Sequence, residues 1–145
     1  MTPHFEPNGT VGEARLRVRY AETDQMGVVY HSNFIIWFEV GRVELLRTIG
    51  FSYLEMEKDG FHLPVVEVKC RYKQPARYDD AILIRTHISG LRASYIQFAY
   101  QVLREEDGAL LAEGSSTHVV VGPDMRPNGL SDKYLLPFQR AMGTP

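Results

Sequence analysis

Residues 34–49 read FIIWFEVGRVELLRTI. The run is too long and too continuous for an ordinary strand. Its first five residues are all apolar, which predicts a helix whose N-terminal half is buried on every side. Ser32 or Asn33 can cap its start, and Gly50 can close its end. Gly41 stands in mid-helix, where it costs roughly 1 kcal/mol against Ala. A closely packed neighbour is expected there. Glu39/Arg42 and Glu44/Arg47 are spaced three apart, as ion pairs on a less buried side would be.

Outward from this helix the chain reads as strands. Before it, RLRVRY alternates, with Leu16, Val18 and Tyr20 on one face and three Arg on the other. After it, SYLEMEKDG predicts a short helix. PVVEVKCRYKQ then alternates, with Val66, Val68, Cys70 and Tyr72 in phase. PARYDD breaks the pattern, AILIRTHI resumes it, and GLRAS turns the chain into YIQFAYQVLRE. EDG is a hairpin signal, ALLAEGSSTHVVV is the last strand, and SDKYLLPFQRAM predicts a terminal helix kinked or broken at Pro137. Strands joined by short turns form an antiparallel sheet. A helix buried all round needs a sheet that wraps it and something on its remaining side. The expected fold is therefore α+β: a five-stranded antiparallel sheet wrapped around one long central helix, the hot-dog fold, with a second subunit as the further cover. Residues 1–12 read as a loose N-terminal tail and 13–142 as one domain.

The bulk properties narrow the function. The 145 residues are 44% hydrophobic, enough for a real core, and the net charge of -2 argues against a general nucleic-acid binder. A single Cys, Cys70, excludes an internal disulfide and a Cys-rich zinc site. Its phase with Val66, Val68 and Tyr72 reads as core, not nucleophile. The His residues, at 4, 31, 62, 87 and 118, show no metal-ligand spacing. There is no Gly-x-Ser-x-Gly elbow, phosphate loop or apolar run long enough to span a membrane, and MTPHFEPNGTVG, residues 1–12, lacks the charged and apolar regions expected of a signal peptide. A cytoplasmic location is the default expectation.

The chemistry concentrates just before the long helix, in YAETDQMGVVYHSNF, residues 20–34. Two carboxylates and a His precede a helix start, where free N–H groups and the positive end of the dipole can hold an oxyanion. Gly27 offers the sharp turn that would fold Asp24 back towards that point. Asp24 can then serve as general base or nucleophile. The same residue can equally form an Asx-turn or a local cap. Glu22 reads as a solvated loop charge, and Asn33 as a cap or loop anchor.

The run YAETDQMGVVYHSNFIIWFEVGRVELLR resembles the signature of the 4-hydroxybenzoyl-CoA thioesterase-like acyl-CoA thioester hydrolases, in particular the bacterial subgroup associated with the Tol–Pal envelope system. Tyr20, Thr23, Asp24, Gly27, Val28, Val29, Tyr30, His31 and Asn33 carry the likeness. PARYDD and the HVVV run, residues 118–121, are similar too. The resemblance implies that Asp24 is the catalytic carboxylate and that the His31 backbone N–H holds the thioester oxygen. Gly27, Val28, Tyr30 and Asn33 fall in the segment it implies to bind substrate. It further implies a homo-dimer or homo-tetramer with sites at the subunit interface. No metal or redox cofactor is implied, since coenzyme A arrives as part of the substrate. The family places CoA phosphates on basic residues near surface turns. Lys69, Arg71, Lys73 and Arg77 are candidates, and Arg92 in GLRAS is the favoured one. Acyl-carrier protein is an alternative carrier. The rival readings are a hot-dog hydratase or dehydratase and a non-catalytic module that binds an acyl-carrier protein or a lipid-synthesis complex.

Overall fold

The long helix forms where its sequence predicts, but its cap position falls on His31 and not on Ser32 or Asn33, which already lie in the first turn. In the computed structural model, which describes residues 5–143, α1 spans Ser32–Ile49 and Gly50 closes it in the left-handed conformation, its N–H bonded to the Leu46 and Arg47 carbonyls. The other elements are β1 (Gly12–Arg17), α2 (Tyr53–Lys58), β2 (Val65–Tyr72), β3 (Ala81–Arg92), β4 (Tyr95–Arg104), β5 (Leu110–Val119) and α3 (Asp132–Met142). One antiparallel sheet in the order β1-β3-β4-β5-β2 packs against α1.

Only β3–β4 and β4–β5 are hairpins of this sheet. β2 pairs with β5 at the far edge instead of with β3. The sequence reading, in which the four strands after α1 follow one another in hairpin connection, is corrected in this respect. The reason is that PARYDD is no simple turn. Asp79 and Asp80 exchange backbone hydrogen bonds with Val18, and the Val29 N–H reaches the Ala76 carbonyl. The segment thus ties β1 and the following loop together as the chain crosses the sheet.

The helix is not buried all round within this chain. Phe34, Trp37, Phe38, Gly41, Arg42, Leu45 and Leu46 are buried, a stripe at the 3.6-residue repeat. Ile36 and Val40 on the other side are 52% and 36% exposed. A single sheet covers one side of a cylinder. β2, at its edge, leaves Val65, Val66 and Val68 exposed as well. Tyr20 is also exposed, because β1 stops at Arg17 and a 3-10 turn at Tyr20–Glu22 rotates the chain out of the expected alternation.

Close approach explains the small residues. A Cβ on Gly41 would lie 2.5 Å from Thr86 Oγ1 and 2.6 Å from Ile84 Cγ2 of β3. We expect Gly41→Ala to destabilise the fold by about 1–3 kcal/mol, as overpacking outweighs the gain in helix propensity; urea denaturation measures it. A Cβ on Gly114 would meet the Phe38 ring at 2.8 Å. Phe38 in turn stacks on Tyr100 with centroids 4.3 Å apart. The small-residue stretch of β5 therefore serves packing against α1 at this point.

Arg42 departs from the expected pair with Glu39. It is 8% exposed, and its Nε and Nη1 donate to the hydroxyls of Tyr53 and Tyr100 at 2.9 and 3.0 Å. The Glu44–Arg47 pair does form. Helix α3 runs unbroken through Pro137, against the expected kink or break. The bond lost there is to the carbonyl of Lys133, an exposed first-turn residue whose carbonyl water can satisfy. Tyr134 and Phe138 of α3 pack on Phe51 beyond the end of α1. Of the expected N-terminal tail, residues 1–4 lie outside the described residues. Further along, Phe5 packs edge-on to His87, and the Thr10 N–H donates to the Ala141 carbonyl at 2.8 Å.

Candidate active site

The loop between β1 and α1 is a tight hairpin set on the helix start. The Asp24 N–H donates to the Val28 carbonyl at 2.8 Å, and the Gly27 N–H to the Asp24 carbonyl at 3.0 Å. Gly27 has φ 81°, a left-handed conformation that disfavours a side chain. Val28 bridges to Arg77, so PARYDD braces the hairpin from behind. The Asp24 side chain forms the Asx-turn that its position allows, Oδ1 accepting from the Met26 N–H at 2.8 Å. Its Oδ2 has no hydrogen-bond partner among the described residues. The turn and an open carboxylate oxygen therefore coexist in one residue.

Asp24, Val28, Tyr30 and His31 line a cleft of about 430 Å³, with Met26, Val29 and Phe34 beside them. Tyr72, Lys73, Gln74 and Pro75 form the opposite wall. The cleft is mostly apolar, as an acyl group would need. His31 is the N-cap residue of α1 but makes no side-chain cap bond. The N–H groups of His31 and Ser32 have no acceptor among the described residues. They are the orphan donors that every helix start carries.

Other expected residues fall elsewhere. Asn33 lies outside the cleft lining, its Nδ2 donating to the Glu22 carbonyl at 2.9 Å. Gly27 shapes the hairpin without lining the cleft. Arg92 is exposed at the end of β3, opposite Tyr95, and does not line it either. The cation in the cleft wall is Lys73, 3.6 Å from Glu113. Trp37 and Phe38 are core and do not line the cleft, whereas Phe34 is buried and lines it too. Burial pushes the half-buried Cys70 thiol up, away from the thiolate form.

Two residues were missed in the sequence. Glu22 is not a solvated charge but 6% exposed, with a carboxylate oxygen 2.9 Å from the Trp37 indole nitrogen. Tyr72 donates its hydroxyl to the His31 carbonyl at 2.8 Å and sets its ring edge-on to Phe34. Burial, with Cys70 alongside, pushes its phenol up, so it stays a donor. Strand alternation marks Tyr72 only as a face-sharing residue and cannot show that its tip reaches the helix start. We expect Tyr72→Phe to keep the ring contacts and lose one hydrogen bond worth about 1 kcal/mol. Thioester turnover should then fall by less than about tenfold, read as kcat/KM.

A long helix on an antiparallel sheet, its start facing an acidic hairpin across an apolar cleft, defines a hot-dog enzyme of the thioesterase type. The family model of the thioesterase-like superfamily matches residues 18–135, and the chain belongs to that family. It is similar to the Bacillus subtilis protein YneP, 39% identical over 111 residues, covering 77% of this chain and 80% of the relative. It is also similar to acyl-CoA thioester hydrolase YbgC of Escherichia coli, 31% identical over 134 residues, 92% of this chain and 99% of the relative. Among solved structures it resembles a DHNA-CoA thioesterase from Staphylococcus aureus, with TM-score 0.82 and 32% identity, covering 90% of this chain and 87% of that one. No helix among the described residues is long and apolar enough to cross a membrane.

Proposed function

We propose that this protein hydrolyses acyl-CoA thioesters to the free acid and CoA. The observation that carries the reading is the meeting, on one apolar cleft, of Asp24, with an unpartnered carboxylate oxygen, and His31, with an unpartnered N–H at the start of α1. Family membership and the named activity of the Escherichia coli relative support it. The thioester oxygen takes the His31 N–H, with Ser32 beside it, as negative charge develops there. Asp24 either removes a proton from the attacking water or attacks the carbonyl itself. In the first route the water oxygen bonds to the carbonyl carbon, the C–S bond breaks, and the water's proton passes to the departing sulfur. In the second an anhydride with Asp24 forms as the C–S bond breaks, and water then cleaves it, releasing the acid, restoring the carboxylate and giving the thiolate its proton.

The protein works as a homo-oligomer in this reading. Ile36 and Val40 of α1 and the exposed valines of β2 are apolar side chains open to solvent beside β2, the edge strand of the sheet among the described residues. A second copy is the cover that these side chains fit. Lys73, in the cleft wall, and Arg92 are the candidates for CoA phosphates. The finer placement, beside the Tol–Pal-associated enzymes, rests on the opening motif.

Thiol release from short, long and aromatic acyl-CoAs tests the function, with crotonyl-CoA hydration followed separately. Turnover on at least one class is expected. Hydration without thiol release would replace the reading with a hydratase, and folded protein inert on every thioester would overturn it.

A further inference from the structure

The Glu22 carboxylate lies between two rows of donors. Its Oε2 accepts from the Trp37 indole N–H of α1 at 2.9 Å, and its Oε1 accepts from the Arg19 backbone N–H at 2.8 Å. Arg19 Nε stands 3.5 Å from the same Oε1. The Glu22 carbonyl takes two more bonds from the far side of the hairpin, from the Tyr30 N–H and the Asn33 side chain, both at 2.9 Å. One residue thus binds the strand exit, the hairpin's return and the first two turns of α1, two positions before Asp24. A buried carboxylate is costly unless its oxygens are paired. Holding it here means that this geometry is specified closely.

We propose that Glu22 is a positioning residue for the hydrolysis: it acts through Trp37, and its carbonyl through Asn33 and Tyr30, to hold Asp24 at a set distance from the His31 amide. The inference rests on the functional reading above. Both Glu22 carboxylate oxygens act as acceptors, and among the described residues only donors face them. Glutamine has the same shape but must turn its NH₂ towards one of those donors. Small displacements of catalytic groups are expensive in rate.

The test uses Glu22→Gln, Trp37→Phe and the double variant, beside Asp24→Asn. Each single variant should lower kcat by roughly tenfold, with KM within about twofold, since the cleft walls stay in place. The double variant should be no slower than the worse single one, as for two ends of one interaction. Amide exchange over residues 23–29 should quicken in both single variants, with exchange in β3 and β4 unchanged. This readout needs no turnover and stands even if the substrate class is wrong. Unchanged exchange over 23–29 would overturn the inference. So would kcat within twofold of wild type in both variants while Asp24→Asn is inactive, or lost stability with kcat intact. If Asp24→Asn keeps the wild-type rate, there is nothing to position, and the catalytic assignment fails with the inference. Should Glu22→Gln not fold, Trp37→Phe alone decides by the same readouts.

Discussion

Asp24→Asn should lower kcat for thioester hydrolysis by at least ~10²-fold, the scale of lost general-base help, and leave the fold intact. The substitution separates the two roles that coexist in this residue. Asn keeps a side-chain carbonyl, so it can still accept the Met26 N–H and hold the Asx-turn. What it loses is the carboxylate charge and the unpartnered Oδ2, which the proposed mechanism uses as base or nucleophile. Asp24→Ala removes both functions and should also loosen the hairpin. Comparing the two by thiol release and thermal melting therefore divides chemistry from scaffolding. Equal rates in wild type and Asp24→Asn would take Asp24 out of the catalytic step and leave it only the turn.

The second large effect concerns His118, which lies well away from the cleft lining. It is fully buried, and its Nδ1 lies 2.9 Å from the Leu63 carbonyl. A carbonyl can only accept, so Nδ1 carries the proton. Nε2 then accepts from Ser116 at 2.7 Å, Ser116 from Tyr100 at 2.5 Å, and Tyr100 from Arg42 at 3.0 Å. A second proton on Nε2 would reverse the chain. Ser116 would have to donate to Tyr100, whose own O–H would then have no acceptor, beside the Arg42 cation. Burial above all, with Arg42 adding to it, pushes the His118 imidazole down to about 4.

The sign follows from linkage. The unfolded chain, with a His near pKa 6.5, binds this proton before the native protein does. The stabilisation is fully present above about pH 6.5, falls as pH drops, and is gone below about pH 4. We expect about 2 kcal/mol to be lost between pH 7.5 and pH 5, and about 3 kcal/mol by the end of the window. His87, also held down by burial, acts in the same direction. The difference between wild type and His118→Asn isolates the His118 share. Urea unfolding at several pH values should show the wild type losing stability more steeply than the variant. Parallel curves would mean that His118 titrates in the folded protein as it does in the unfolded chain, and would overturn the prediction.

Much of the fold was legible because it rests on local rules. The α1 stretch is a helix by length and continuity. Gly50 closes it, and the strands announce themselves by alternation. The hairpin before α1 was readable as well: Gly27 and Asp24 are turn residues by their own chemistry, and a helix start carries free N–H groups wherever it occurs. By itself, then, the sequence determined the elements and the place where Asp24 meets the helix start. It could not determine partners that are distant along the chain. Alternation cannot say that β2 leaves β3 for the edge beside β5, because strand pairing depends on where the connection is anchored, here by Val18 and Val29. Composition cannot say that Glu22 is buried, because burial becomes affordable only when Trp37, fifteen residues on, turns its N–H to meet the carboxylate. Likewise Arg42 looked like half of a surface ion pair until Tyr53 and Tyr100 closed around it. Tertiary structure decided these cases for one reason: the free energy of a buried polar group is set by the partners that face it, and those come from elsewhere in the chain.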